Sequence, residues 1–188
     1  MEKQDFKILE DILSKVNEWL KFAETKNASL IALIGGAIIA FISLSFSINI
    51  FQCQFGIYYF YNFLLFSFLG LITALLSFLP QTKLFWLWKE KDLKRRPNIF
   101  FYGDLAHTSP DSLINLIYND EIDGQDPIKK IRRDLAEQVV SNSKITRRKY
   151  HYFRIALWFV ISAILTPIVS AFLYIGFDPH WKTSVYND

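Results

Sequence analysis

The chain has 188 residues, 52% of them hydrophobic and 17% aromatic, with only 21% charged and a formal net charge of +3. Its one cysteine, Cys53, excludes an intrachain disulfide. A soluble domain is also excluded: no Asp, Glu, Lys or Arg falls between Lys26 and Lys83, or between Arg154 and Asp178, and a domain of this size cannot bury such stretches on every face.

Residues 2–26 predict an amphipathic helix. Phe6, Leu9, Leu13, Val16, Leu20 and Ala23 recur at spacings of three and four, and Ile12 and Trp19 widen the apolar face. Glu10, Asp11, Lys15, Glu18 and Lys21 take the other side. Mixed charge of this kind disfavours an anionic lipid surface, so the helix is expected to pack against partner helices. The same mixed charge is wrong for a cleavable secretion signal, so the N-terminus is expected to be kept.

A bilayer core about 30 Å thick takes roughly 20 apolar helical residues to cross. The uncharged run 27–82 therefore predicts a transmembrane hairpin, with spans about 28–50 and 57–79 joined through Gln52, Cys53, Gln54 and Gly56. Cys53 then sits at an outer loop tip, where a small apolar role is favoured over an intersubunit bridge. The first span carries small residues at Ser29, Ala32, Gly36, Ala40, Ser43 and Ser47, with Gly35 adjoining. The second carries Ser67, Gly70, Ala74 and Ser77. Small residues let helices approach closely in lipid. Both stripes predict helix interfaces, and the Ser43 and Ser47 side could also border a water path in an oligomer. Pro80 ends the second span.

Phe85, Trp86, Trp88, Lys89, Lys91, Lys94, Arg95 and Arg96 follow, the aromatic and basic pattern that anchors a span on its cytoplasmic side. A phosphate-binding patch is the minority reading of the same band. Residues 97–126 form a small helical insert opened by Pro97, in which Ser109 caps a helix with Pro110 at its first position and Asp111 in its first turn. The stretch 119–126 is acidic and turn-rich. From Pro127 the pattern is helical again through Ile128, Ile131, Leu135, Val139, Asn142, Ile145 and Lys149, with no breaker before a third uncharged run. A long helix continuous with a third span, 155–177, is expected, and Pro167 offers a kink point within it.

The fold class is thus an all-α membrane protein with three transmembrane helices. The segments are an N-terminal cytoplasmic helix (1–26), a hairpin (27–82), a cytoplasmic insert and long helix (83–154), the third span (155–177) and an external tail (178–188). Orientation follows from the placement of Lys and Arg: 15 of the chain's 21 lie in 83–154. That segment and the N-terminus are expected in the cytoplasm, in a multi-pass inner-membrane protein, and the tail with Lys182 outside. Enzyme chemistry is not expected. His107, His151 and His180 have no metal-ligand spacing, and nucleophile elbow, Gly-rich phosphate loop and paired carboxylates in the spans are all missing. No cofactor is expected.

Two stretches are more specific than composition requires: 22–29 (FAETKNAS) and 99–112 (IFFYGDLAHTSPDS). With the order of segments, they resemble the Pycsar effector family of bacterial antiphage transmembrane proteins over roughly 21–175. Glu24, Thr25, Lys26, Ala28 and Ser29 match that family's acidic-Thr-Lys-small-Ser pattern, with Asn27 a variation. Tyr102, Gly103, Asp104, Leu105 and Ala106 match its aromatic-Gly-Asp-aliphatic-Ala element, followed by Ser109 and Pro110. The resemblance implies a toxic membrane effector controlled by a nucleotide signal from a partner enzyme, with membrane permeabilisation and abortive infection as the outcome. Cyclic pyrimidine mononucleotides made by a cyclase control Pycsar effectors. The Hailong membrane effector is similar, and short single-stranded DNA made by a nucleotidyltransferase holds it closed.

Three uncharged spans cannot enclose a wide water path alone, so an ion channel or pore would be a homo-oligomer, a tetramer being one option. Lys and Arg near the membrane would read the phosphates of a nucleotide or oligonucleotide. The candidates are Lys26, Arg147, Arg148 and Lys149, then Lys129, Lys130, Arg132 and Arg133, for which a solvated helix face is an equal reading. Tyr102 and Asp104 are expected to fix the insert through docking or capping. The competing reading is a non-conducting membrane anchor that recruits a soluble partner through 83–154.

Overall fold

The structure, a computed structural model, describes residues 2–49, 51, 54–79, 96–119 and 127–177. Side chains are described within these ranges except at 2–5, 54, 167 and 169–177. Every element among the described residues is helical: α1 (Glu2–Ser47), α2 (Gln54–Leu76), α3 (Tyr102–Leu105), α4 (Pro110–Tyr118) and α5 (Pro127–Phe177). The loop at Gln52 and Cys53, Pro80, the band from Phe85 to Arg95, the acidic stretch 120–126 and the tail with His180 and Lys182 lie outside the described residues.

α1 does not divide into a surface helix and a span. It is one helix from Glu2 to Ser47, because nothing between Ala23 and Ser29 breaks it and Asn27 returns its Nδ2 to the Ala23 carbonyl at 3.0 Å. It ends in a turn at Ile48 and Asn49, where Asn49 takes the left-handed conformation (φ 50°) that Asn tolerates. α2 begins and ends three residues earlier than the sequence pattern suggests, and a turn at Ser77 and Phe78 intervenes before Pro80.

The chain forms two compact units. Unit 1 comprises Met1–Ala28 and Ser77–Phe153. Its core joins Leu9, Ile12 and Val16 of α1, Leu105, Leu113 and Ile114 of the insert, and Ala136, Val139 and Val140 of α5. The apolar face of 2–26 is therefore buried by other helices of the same chain. α4 starts as its sequence dictates: Ser109 is the N-cap, its Oγ accepting from the Ser112 amide at 3.1 Å, with Pro110 at the first position. It ends at Asn119, which adopts a left-handed conformation (φ 51°) and donates its amide to the Asn115 carbonyl at 2.9 Å.

Unit 2 comprises Ser29–Leu76 and Arg154–Asp188. Its interior is built from Leu30, Ile34 and Ile38 of α1, Phe60, Phe63 and Ala74 of α2, and Ala156 and Ala163 of α5. Phe41 packs among Tyr59, Phe60 and Phe63, with ring centroids 4.1 to 5.9 Å apart. Unit 2 is apolar on its outside as well. Leu33, Ile39, Phe46, Leu65, Ile72 and Trp158 are all more than half exposed. Two stretches, Phe6–Ser47 and Phe55–Leu76, are long and apolar enough to cross a membrane, and only 22% and 28% of their most apolar windows are buried. The core helix of a soluble protein would bury most of such a window, so hydrocarbon is the solvent that suits this surface.

Candidate functional site

Some of the candidate residues of unit 1, Lys26 and Lys149 among them, meet where α1 and α5 run side by side. Asn27 is fully buried, and its Nδ2 donates across the helix pair to the Lys149 carbonyl at 3.2 Å. Lys149 is 9% exposed. A buried ammonium is costly without partners, and this one has three: the Glu24 carboxylate at 3.2 Å, the Ser77 carbonyl at 3.2 Å, and the Phe78 ring 5.1 Å below it. Glu24 stays half exposed at its outer edge.

Lys26, one residue before Asn27, is held differently. Its ammonium lies over three aromatic rings, those of Phe22 at 4.5 Å and of Tyr150 and Phe153 at 5.7 Å, and it meets no carboxylate among the described residues. Tyr150 is stacked on Tyr102, with centroids 5.2 Å apart and ring planes 17° apart, and Tyr102 also touches Trp19 and Phe101. Burial raises the pKa of both phenols above the ordinary value, and for Tyr150 the neighbouring Tyr102 adds to the shift. The Tyr150 Oη is buried with no hydrogen-bond partner among the described residues.

The other motif residues shape the insert that brings Tyr102 to this stack. The Asp104 carboxylate is buried and accepts from the Asn98 amide at 2.9 Å, closing the turn that precedes α3. Gly103 leaves room for a ring, since a Cβ there would clash with the Phe101 ring at Cε1. Thr25, on an exposed face, donates its Oγ1 to the Lys21 carbonyl at 3.0 Å within its own helix.

The eight candidate cations divide. Arg147 and Arg148 are half-buried and, like Lys26, pair with no carboxylate among the described residues. Arg133 is engaged by Glu137 at 3.5 Å and Asp111 at 3.7 Å. Arg132 stacks over Tyr118 at 4.4 Å and Phe6 at 5.9 Å. Lys129 is half-buried and Lys130 exposed near the start of α5. A helix rises about 1.5 Å per residue, so Arg133 and Arg147 stand about 21 Å apart along α5 and cannot hold one phosphate together.

The two small-residue stripes also part company within unit 2. Ser67, Gly70 and Ala74 of α2 are buried, and a Cβ on Gly70 would meet the Ala156 carbonyl oxygen and Phe159 Cβ, each at 3.3 Å. That stripe is an interface inside the chain. In α1, Ser29, Ala32, Gly36, Ala40, Ser43 and Ser47 are all exposed, and a Cβ on Gly36 would meet nothing within 4 Å. The large residues Leu30, Ile34 and Ile38 make the within-chain contact instead.

One feature of unit 1 had no signal in the residue pattern. An open cleft of about 910 Å³ is lined by Arg96, His107, Ser109, Ser112 and Asn115, among others. Most of the lining falls in one stretch, from His107 through α4 to Asn119, and Arg96 and Pro97 meet it from before α3. Among the described residues no group of three or more His, Cys, Asp or Glu side chains converges as a metal site would.

Helices with bare apolar surfaces, a polar layer of buried and paired charge, and clustered aromatic rings define the class: an all-helical membrane protein. The Pycsar effector protein domain matches residues 8–176, and the chain belongs to that family. Comparison with curated proteins and with solved structures gives no match. Membership makes the chain an antiphage defence effector at a membrane, in a family of membrane effectors distinct from known enzyme families.

Proposed function

We propose that the chain assembles into a homo-oligomeric pore in the bacterial inner membrane. A nucleotide signal from a partner enzyme controls it, and permeabilisation of the infected cell is its outcome. Each subunit crosses three times, the third crossing being 155–177, with 1–26 and 83–154 in the cytoplasm and the tail outside. The observation that carries this reading is the exposed small-residue face of α1. Lipid needs no such face, whereas a neighbouring helix gains close backbone approach from it. A subunit whose spans hold no charged side chain cannot enclose water alone, so conduction requires several. Lys26, Arg147 and Arg148, which meet no carboxylate among the described residues, are the cations most available to phosphate. The signal is a cyclic mononucleotide made by a cyclase or a short DNA made by a nucleotidyltransferase.

Planar-bilayer recordings of the purified chain, with and without cyclic pyrimidine mononucleotides and short single-stranded DNA, test this directly. Currents that respond to one of these ligands are expected. Silence under every condition, with membrane potential intact in expressing cells and a stoichiometric soluble protein recovered on 83–154, would establish the anchor in place of the pore.

A further inference from the structure

We propose that Glu24, Lys149 and the Ser77 carbonyl form a latch that holds the chain in its non-conducting arrangement, and that permeabilisation requires the latch to open; this rests on the pore reading above. Three observations meet here. First, the anchors belong to three separate stretches of unit 1: Glu24 in α1, Lys149 in α5, and Ser77, the first residue past α2. One ammonium bridges all three, with both contacts at 3.2 Å. A lysine cannot keep two such contacts if any of the three stretches shifts by the width of a side chain, so the bridge is made or broken as a unit.

Second, Lys149 is fixed at both ends, since its backbone carbonyl accepts from Asn27 Nδ2 at 3.2 Å while its ammonium is held by Glu24. Breaking the ion pair therefore leaves a charge in a buried position, a penalty that makes the paired arrangement the resting one. Third, the layer around the latch is incompletely satisfied. Asn27 Oδ1 and Ser77 Oγ, on residues that bond to Lys149, are buried without hydrogen-bond partners among the described residues. A purely structural polar layer would satisfy its members. The unpaired groups lower the cost of leaving this arrangement, as a two-state element requires. A ligand can then shift the balance by interacting differently with the two states.

The test uses the full chain with Cys53→Ser, carrying Glu24→Cys and Lys149→Cys, reconstituted in dye-loaded phosphatidylethanolamine and phosphatidylglycerol vesicles. A short reducible bis-thiosulfonate bridges the two thiols. The bridged form is expected to leak as slowly as the Cys53→Ser chain, and reduction to raise the leak about tenfold or more, the shift that releasing a strongly biased two-state element produces. Both forms are the same polypeptide, so a folding defect would affect them alike, and re-bridging should restore the slow leak. Equal leak before and after reduction overturns the latch. So does a double-cysteine chain that is silent in both forms while Cys53→Ser leaks. If no chain leaks in any form, either alone or with cyclic pyrimidine mononucleotides or short single-stranded DNA added, the pore reading itself fails and the latch with it.

Discussion

The Tyr102 and Tyr150 pair shows how a family-motif residue acts through packing. Tyr150 stacks on Tyr102 yet leaves its own Oη buried and unpartnered. Tyr150→Phe removes a polar atom that gains nothing and keeps the ring, so stability should change by less than about 0.5 kcal/mol or rise. Tyr150→Ala loses the stack and should cost about 2 kcal/mol. Thermal unfolding in detergent reads both. The phenols hold their protons more tightly in the folded chain than in the unfolded one. Their contribution is therefore complete below the ordinary phenol value of 10.0 and fades as pH rises through the folded values. In a phenolate absorbance titration these two should ionise late, and Tyr102→Phe should remove one of the late steps. Asp104→Ala strands the Asn98 amide that its carboxylate accepts, and should cost about 1–3 kcal/mol by the same unfolding measurement.

At the level of elements, the sequence was legible wherever a local rule decides the outcome. Ser109, Pro110 and Asp111 announce a helix start by side-chain chemistry alone, and α4 begins there. The apolar period of 2–26 identifies Leu9, Ile12 and Val16 as a packed face. Where the outcome depends on which partner arrives, the pattern was silent. The stripes in α1 and α2 have the same spacing, yet one is covered by α5 and the other is bare, because a period says which residues share a face and not what covers it. The same limit applies to the cations: Lys26 and Lys149 are equivalent as charges, but Lys149 is neutralised by Glu24 and Lys26 is not. The α2 stripe carries a clear expectation. Gly70→Leu drives a side chain into the Ala156 carbonyl and Phe159, and overpacking of this kind should cost about 1–3 kcal/mol of thermal stability in detergent.

For the whole molecule, the decisive contrast is between Gly70 and Gly36. A Cβ on Gly36 meets nothing within 4 Å among the described residues, and the position is exposed, so a leucine there can point away from its own subunit. The subunit should therefore fold and insert with unchanged thermal stability as a monomer. Ser43→Leu, on the same exposed face, should behave alike. If that face seats a second copy, both variants separate helices that must approach closely, and assembly weakens although the subunit is intact. Cross-linking in membranes and native mass in detergent should then show smaller species, and growth arrest on induction should be relieved. Gly70→Leu is the control for generic damage: it should lower subunit stability first and assembly only as a consequence. A Gly36→Leu chain that keeps its oligomer size and its toxicity would show that lipid, not protein, covers this face. Any seam between subunits would then have to lie elsewhere on unit 2, where the exposed surface includes large residues such as Leu33, Ile39 and Trp158, whose side chains hold backbones apart.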